Sequence, residues 1–475
     1  MRLLKSNFVV RSSFSLGIFL FGIITLISIY SFYQFGKNHF LLVPLIIGIP
    51  ALFLFPQTIL FLFIGSFYWG HHLYNNNDYF FLDWSHLAFL LLLSSSLSLL
   101  LTNKRFQLNY SRLIFNSLFL FFISVIISFL INCSIHKVSD NLVSLSYLAN
   151  FMLLIIGFLL FSMHFFKSRI DQIINAVIIL SIFEMPVVIY QILNLQDLQG
   201  LSTIHSLQNV IGTFGGHHSM LANMMTFPLG FSAYKSMNAN TIKKRCFFGV
   251  LACVFLYAII YSGSRSNLIG VFGAVLIIFL LKLKLKPIYL ISLLFLPVCA
   301  YLLFHFSPLH NLLNNSIHSE ETSKLDVSTI GRLLIWKNAW HFYWNSSIVC
   351  KLFGVGIANF MKIEFPEIIL GSKFAGGAHD IFLHVLVETG LIGFVLFIAF
   401  YLIIIFKLHK QGRHDNLALA YLFITLSLLL SGITQETLWF QPVFGCLWLY
   451  YICLLSLILE KEPAAELPIK GRQID

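Results

Sequence analysis

Fourteen apolar segments take up most of this chain, and they restrict its fold more than any other feature. A helix of about 20 apolar residues spans the hydrocarbon core of a bilayer, so such segments are typical of transmembrane helices. Only 10% of the residues are charged, whereas a soluble protein averages about 25%. The sequence therefore predicts an all-α polytopic membrane protein with about 12–14 transmembrane helices. The segments lie at about 13–34, 39–55, 57–70, 84–101, 113–132, 143–166, 172–194, 217–234, 246–262, 266–281, 287–304, 381–406, 417–433 and 438–459.

The second and third segments, 39–55 and 57–70, are short, and Pro56 separates them. Two interpretations remain open: each segment crosses the membrane, or the pair forms a helical hairpin that does not cross fully. Both interpretations return the chain to the same side of the membrane, so the orientation of every later segment is the same.

The distribution of basic residues orients the segments. When the N-terminus is placed inside, the inner loops hold 21 of the 30 Lys and Arg residues and the outer side holds nine. This asymmetry follows the positive-inside rule and predicts that both termini are cytoplasmic. The apolar stretch after Arg2, Lys5 and Arg11 is interpreted as an uncleaved signal anchor, because no small-residue cleavage site follows it. Topology thus accounts for the net charge of +11, and no nucleic-acid partner is predicted.

Two outer loops are long, at about 195–216 and 305–380. The second is the only polar stretch of any size, and we expect it to form a helical cap over the outer end of the bundle. The predicted divisions are an N-terminal transmembrane bundle (1–210), further transmembrane helices (211–304), the large loop (305–380), and C-terminal helices with a cytoplasmic tail (381–475).

Two arginines lie on the outer side, where the positive-inside rule disfavours them. Arg265 follows the turn that begins at Tyr261 and stands at the N-terminal end of a membrane helix. There its guanidinium and the unpaired backbone N–H groups can bind an anion, although an arginine that merely extends to the interface is the alternative. Arg332 lies in a predicted helix of the large loop and shares a face with Trp336 and Trp340. A helix lying on the interface would place Arg332 at the depth of lipid phosphates.

A glycine-rich loop, 371–377, leads to His379 at the predicted membrane surface. A neutral histidine close to a phosphate site can act as general base on a hydroxyl, and a polar interfacial histidine without chemistry is the alternative. Asp380 is placed to cap the next helix. Glu388 lies about two turns inside that helix, with His384 on the same face. A carboxylate at that depth should face the bundle interior.

Two further polar features have open interpretations. His217 and His218 begin another helix on the outer side, but adjacent residues point in different directions and do not form a metal-binding pair. Contacts to sugar or phosphate are more consistent with their position. Glu184 lies in the middle of the seventh segment, either as a structural hydrogen-bonding partner or as part of a cavity wall.

These stretches together resemble the O-antigen ligase and O-antigen polymerase superfamily of bacterial envelope glycosyltransferases, over about residues 210 to 410. In that family a Ser-Arg motif opens a membrane helix and an Arg-x-x-x-Trp helix lies in a large periplasmic loop. A His-Asn/Ser/Gln motif ends the loop and is followed by nine residues and Gly-x-x-Gly. This chain departs from the pattern at Asp380, but Asp caps a helix as well as Asn does. The corresponding stretches are Ser264-Arg265, Arg332 to Trp336, and His379-Asp380 followed by nine residues and Gly390-Leu-Ile-Gly393.

The resemblance implies a GT-C-like helical bundle and a metal-independent, inverting glycosyl transfer in which undecaprenyl pyrophosphate leaves. Arg265 and Arg332 would bind the pyrophosphate and stabilise its developing charge. His379 would orient or deprotonate the acceptor hydroxyl. No cofactor and no metal site are implied. The residues expected to support the site are Lys337, Asp380, Glu388, His217 and His218.

The implied partners are an undecaprenyl-pyrophosphate-linked glycan donor, a lipid A-core or glycan repeat-unit acceptor, and membrane lipids. The expected location is the bacterial inner membrane, with a periplasmic active site that serves lipopolysaccharide or surface polysaccharide biosynthesis. Ligase, polymerase and protein O-oligosaccharyltransferase differ in the acceptor, which the sequence leaves open together with the sugar and the oligomeric state. A lipid-linked oligosaccharide flippase is the alternative from another class. It would need related halves and charges along a central path, whereas the informative charges here lie at one face.

Overall fold

A computed structural model describes residues 63–66, 92, 110–133, 142–193, 210–212, 218–282, 324–365, 377–435, 437–439 and 445–459. Every regular element in these ranges is helical, which confirms the predicted all-α class. A short 3₁₀ helix spans Phe360–Lys362. The α-helices are α1 (Arg112–Cys133), α2 (Leu142–Phe161), α3 (His164–Lys167), α4 (Ile170–Leu193), α5 (His218–Met237), α6 (Ile242–Tyr261), α7 (Arg265–Lys282), α8 (Lys324–Asn345), α9 (Ile348–Phe353), α10 (Ile381–Gln411), α11 (Asn416–Ser431) and α12 (Gly445–Ile458).

Five of the described helices are long and apolar enough to cross a membrane, namely α1, α4, α6, α7 and α10. Many of their large apolar side chains are exposed, which is the pattern of a surface that faces lipid. The protein is therefore a polytopic membrane protein. The predicted segments 13–34, 39–55 and 287–304 lie outside the described residues, as do nearly all of 57–70 and 84–101.

The last predicted segment, 438–459, is wrong at its start, because α12 begins only at Gly445. The side chains before it are used for other contacts. Thr437 donates a hydrogen bond from its hydroxyl to the Leu428 carbonyl at 2.8 Å. Trp439 donates from its indole nitrogen to the Glu388 carboxylate at 2.9 Å. Apolar composition therefore identified the membrane region but not the turn that precedes the helix.

An aromatic cluster forms the core where α1, α2, α10 and α12 meet. The ring centroids of Phe121 and Phe397 are 5.5 Å apart, and those of Phe151 and Trp448 are 4.9 Å apart. Trp439 packs against Trp448 at 5.8 Å. Such tilted and edge-on pairs are favourable beyond the apolar area that they bury. This cluster fixes α10 against α1 and α12.

Small residues bring α7 into direct contact with α11. A Cβ atom on Gly270 would lie 2.4 Å from the Ser427 carbonyl oxygen, so only glycine fits at this crossing. One turn further along α7, Gly273 packs against Leu430. Glycine and serine at a crossing allow close backbone approach, which is a common way for membrane helices to associate. The contact fixes the position of α7, whose first residue is Arg265.

Helix α10 is broken at Gly390, which has a φ of 69°. At this break, the Val387 carbonyl accepts a hydrogen bond from the Val355 N–H and the Glu388 carbonyl accepts one from the Gly356 N–H, both at 3.0 Å. Backbone groups in a membrane need partners within the protein. The segment that follows α9 supplies them, so the predicted continuous segment 381–406 is in fact two helices joined at a glycine.

The two backbones at this break touch directly, with a glycine on each side. A Cβ atom on Gly390 would lie 2.4 Å from the Leu352 carbonyl group, and one on Gly354 would lie 2.2 Å from the Glu388 carbonyl oxygen. Gly354 also has a left-handed backbone, with a φ of 78°. Neither position has room for a side chain, so the end of α9 locks onto α10 at the Gly-x-x-Gly motif.

Gly390→Ala should therefore destabilise the protein strongly. The left-handed backbone costs a non-glycine residue about 1–2 kcal/mol, and the added methyl group costs about 1–3 kcal/mol through overpacking. Thermal unfolding of the detergent-solubilised protein should show a clearly lower melting temperature. Gly249→Ala is the matched control, because a Cβ atom there meets only Ser236 Oγ at 3.7 Å. Equal melting temperatures for the two variants would contradict the close contact at Gly390.

Candidate active site

The turn before Arg265 is fixed by a chain of buried polar side chains. Arg265 is exposed and is the first residue of α7. Ser264 Oγ donates a hydrogen bond to Asn267 Oδ1 at 2.6 Å, and Asn267 Nδ2 donates to Asn223 Oδ1 of α5 at 2.5 Å. Ser264, Asn267 and Asn223 are all buried. The arginine thus extends from a turn whose position is set by two helices.

The loop between α11 and α12 joins the start of α7 to the start of α10. Thr434 Oγ1 donates to Ser266 Oγ at 2.5 Å, next to Arg265. The Gly432 carbonyl accepts from the Ile381 N–H at 2.8 Å, two residues after His379. The starts of α7 and α10 therefore lie at the same end of the bundle, and Arg265 and His379 lie there with them. The sequence analysis assigns no functional role to this loop, although its polar residues between two apolar segments are a usable signal.

Helix α8 joins the same arrangement through Trp336. Its indole Nε1 donates to the Ala378 carbonyl at 2.8 Å, next to His379. Arg332 is half-buried and precedes Trp336 by one helical turn, so the two residues share a face. Trp340, in contrast, is 48% exposed. Trp336 is therefore bound within the protein, whereas Trp340 is exposed.

The same face of α8 also packs inward through Tyr343, two turns after Trp336. Its hydroxyl donates to the Lys351 carbonyl at 3.1 Å, which ties α8 to α9. Burial raises the pKa of the Tyr343 hydroxyl, so this donor keeps its hydrogen at neutral pH. Lys337 is exposed on α8. It lies beside Trp336 in the sequence, on a more exposed face of the helix.

His379 has an unusual backbone conformation, with a φ of 50° in the left-handed region. Asp380 follows it and caps α10, as predicted. Its Oδ1 accepts hydrogen bonds from the Phe382 N–H at 2.8 Å and the Leu383 N–H at 3.1 Å. The carboxylate therefore compensates the positive end of the helix dipole, which reduces its repulsion of a nearby anion. His379 itself is half-buried.

Glu388 faces the bundle interior, which confirms that prediction. It is 1% exposed and accepts hydrogen bonds from the Phe360 N–H at 3.1 Å and from Trp439 Nε1 at 2.9 Å. His384 Nε2 lies 3.2 Å from Glu388 Oε1, one turn away on the same helix. The His384 ring packs on Phe360, with centroids 4.8 Å apart. One carboxylate thus connects α10, the 3₁₀ helix and the turn before α12.

Two of the remaining candidate residues, Glu184 and His218, belong to α4 and α5. Glu184 of α4 is buried, and its carboxylate packs against Gly212, where a Cβ atom would meet Oε1 at 2.4 Å. Gln191, two turns later, accepts from the Gly212 N–H at 2.8 Å and donates to the Gly212 carbonyl at 2.9 Å. Glu184 therefore packs against the chain segment around Gly212 that Gln191 holds by hydrogen bonds. His218 is the first residue of α5, and His217 lies outside the described residues.

Within the ranges that the structure describes, no group of three or more His, Cys, Asp or Glu side chains is arranged to hold a metal ion. The donors that converge near His379 are instead backbone N–H groups, an indole and an imidazole. Such groups can position a loop and a substrate.

A comparison with protein families relates the part of the chain that holds these residues to known proteins. A family model described as O-antigen ligase matches residues 248–398. Over these residues the chain is similar to the O-antigen ligase family. The matched O-antigen ligase domain contains Arg265, Arg332, His379 and Gly390, and it supports a transferase of lipid-linked glycans in general. A comparison with curated proteins finds no match for the chain.

Trp336→Phe should loosen the link between α8 and the His379 turn. The variant loses one hydrogen bond and leaves the buried Ala378 carbonyl unpaired, which costs about 1–3 kcal/mol. We expect a lower melting temperature and slower glycan transfer, because Arg332 and His379 are no longer held in register. Trp340→Phe in the same helix is the matched control, since Trp340 is 48% exposed. Equal transfer rates for the two variants would show that the Trp336 bond does not support the site.

Proposed function

We propose that this protein is an inverting glycosyltransferase that moves a glycan from undecaprenyl pyrophosphate to an acceptor hydroxyl at the periplasmic face of the inner membrane. The observation that carries the proposal is the linkage of the starts of α7 and α10 with each other and with the middle of α8, all three helices lying in or overlapping the matched O-antigen ligase domain. Thr434 bonds to Ser266, Gly432 to Ile381, and Trp336 to Ala378. These bonds support one site that contains Arg265, Arg332 and His379.

The two arginines suit a pyrophosphate. A guanidinium presents a planar fork of donors that matches two phosphate oxygens, and Arg265 is also the first residue of α7, where the helix dipole favours an anion. Negative charge builds up on the pyrophosphate as its bond to the sugar breaks. Fixed positive groups stabilise that charge more in the transition state than in the ground state, which accelerates the reaction.

His379 suits the acceptor. In the proposed step, the acceptor hydroxyl oxygen attacks C1 of the donor sugar from the side opposite the pyrophosphate. The new C1–O bond forms as the old one breaks, so the configuration inverts. The hydroxyl proton passes to His379, and undecaprenyl pyrophosphate leaves with the bonding electron pair. The left-handed turn at His379 presents the imidazole from a fixed backbone, and no metal ion takes part in the proposed step.

Reconstitution of the purified protein in lipid nanodiscs with an undecaprenyl-pyrophosphate-linked glycan tests the function. Lipid A-core, a second repeat unit and a serine-containing peptide are offered separately as acceptors. Transfer to lipid A-core identifies a ligase, transfer to a repeat unit a polymerase, and transfer to the peptide a protein O-oligosaccharyltransferase. In sealed proteoliposomes, movement of intact donor across the bilayer without any transfer would instead indicate a flippase and contradict the proposal.

Arg332→Lys should lose transfer activity by about 100-fold although the charge is kept, because an ammonium cannot grip two phosphate oxygens with a planar fork. The measurement is the initial rate at saturating acceptor, with donor affinity measured in parallel. Arg245→Lys serves as the control, since Arg245 is an exposed residue in the first turn of α6 and its guanidinium bonds to the Ala239 carbonyl. Near-normal transfer by Arg332→Lys would show that the Arg332 guanidinium does not bind the pyrophosphate.

His379→Ala should lower transfer by about 100-fold to 10,000-fold while donor binding stays close to normal, because a general base acts on the acceptor. EDTA should leave the wild-type rate unchanged. Loss of the rate in EDTA, with recovery on addition of Mg²⁺ or Mn²⁺, would overturn the metal-independent mechanism and reassign His379 to a structural role.

A further inference from the structure

We infer that His384 and Glu388 are positioning residues that hold the His379 turn in its reactive conformation. The inference rests on the function proposed above, because it gives the two residues a role in the same site. His384 is 3% exposed and Glu388 is 1% exposed, so neither side chain is accessible to a substrate. Any effect on the reaction must therefore pass through the groups that they contact.

The His379 turn needs external support because its backbone is left-handed, with a φ of 50°. A non-glycine residue keeps such a conformation only where neighbouring contacts fix it. On the C-terminal side, Asp380 caps α10 and the Ile381 N–H bonds to the Gly432 carbonyl. On the N-terminal side, both polar backbone groups of Ala378 are bound by side chains.

Those two contacts on Ala378 come from different elements. Its carbonyl accepts from Trp336 Nε1 at 2.8 Å, and its N–H donates to His384 Nδ1 in a long hydrogen bond of 3.5 Å. His384 follows His379 by five residues within the first turns of α10. The imidazole therefore reaches back to the residue that precedes the turn. This contact restrains the peptide on the N-terminal side of His379.

Glu388 determines which nitrogen of His384 can accept. Nδ1 receives the Ala378 N–H and so carries no hydrogen, which leaves the hydrogen on Nε2, 3.2 Å from Glu388 Oε1. The opposite tautomer would turn an N–H of the ring towards the Ala378 N–H and break the contact. Glu388 thus acts on His379 through the tautomer of His384. Its own carboxylate is fixed by Phe360 and Trp439.

Two substitutions separate the two nitrogens of His384. The amide oxygen of His384→Asn falls near the position of Nδ1 and can still accept from Ala378, but it loses the contact with Glu388. The amide of His384→Gln reaches towards Nε2 and can still donate to Glu388, but it loses the contact with Ala378. If the buried pair is purely structural, His384→Gln should retain the higher kcat, because it keeps the contact with Glu388. If His384 positions the turn, His384→Asn should retain the higher kcat, because it keeps the contact with Ala378.

The experiment measures kcat, donor affinity and amide hydrogen exchange for both variants in nanodiscs. We expect His384→Asn to keep kcat within about threefold, while His384→Gln loses about 100-fold, the effect of a reacting group displaced by about 1 Å. Donor affinity should stay unchanged in both, since the arginines bind the donor. Exchange in the peptide that contains residues 377–380 should accelerate in His384→Gln alone.

Ser128→Ala is the matched control. Ser128 Oγ donates to the Glu388 carbonyl at 2.8 Å, so the variant weakens the same buried region without touching the Glu388 carboxylate or Ala378. It should lower the melting temperature but leave the exchange of residues 377–380 unchanged.

Equal losses of kcat in the Asn and Gln variants, or faster exchange at 377–380 in Ser128→Ala as well, would overturn the positioning role. A wild-type protein that transfers no glycan contradicts the function proposed above instead. In that case the exchange comparison alone decides whether His384 holds the turn.

Discussion

The backbone of α10 cannot complete its own hydrogen bonds at Gly390, and the outer part of the described structure depends on how this is resolved. The Val387 and Glu388 carbonyls accept from Val355 and Gly356, and Ser128 adds a second donor to the Glu388 carbonyl. Within a membrane protein these partners must come from the protein itself. The chain after α9 is therefore held against α10 by backbone contacts, independently of the side chains that line the candidate site.

This constraint also explains the position of the buried carboxylate. Because the chain after α9 is fixed at Gly354, the N–H of Phe360 comes close enough to donate to Glu388. Trp439 adds a donor from the opposite side. A carboxylate away from water is tolerated where several donors surround it. The break at Gly390 and the polar cluster around Glu388 are thus two consequences of one backbone contact.

Local features of the site could be predicted from the sequence, whereas its long-range links could not. The cap at Asp380 depends on the next three residues, and the pairing of His384 with Glu388 depends on helical spacing. The bond from Thr434 to Ser266 joins residues 168 positions apart, and nothing in either stretch specifies the other. The break at Gly390 was missed for a related reason. A glycine in an apolar run is compatible with a continuous helix until the backbone that crosses it is known.

The turn between α11 and α12 has a further consequence for how this protein can vary. Gly432 bonds to the start of α10 and Thr434 bonds to the start of α7, with a single residue between them. An insertion or deletion here would shift one helix start relative to the other, so the length of this turn should be fixed among related chains. The exposed turn around Asn240 is bonded to α11 through Asn238 and Asn416, but it does not connect two helix starts of the candidate site. Length variation, affinity tags and fluorescent labels should therefore be tolerated there far better.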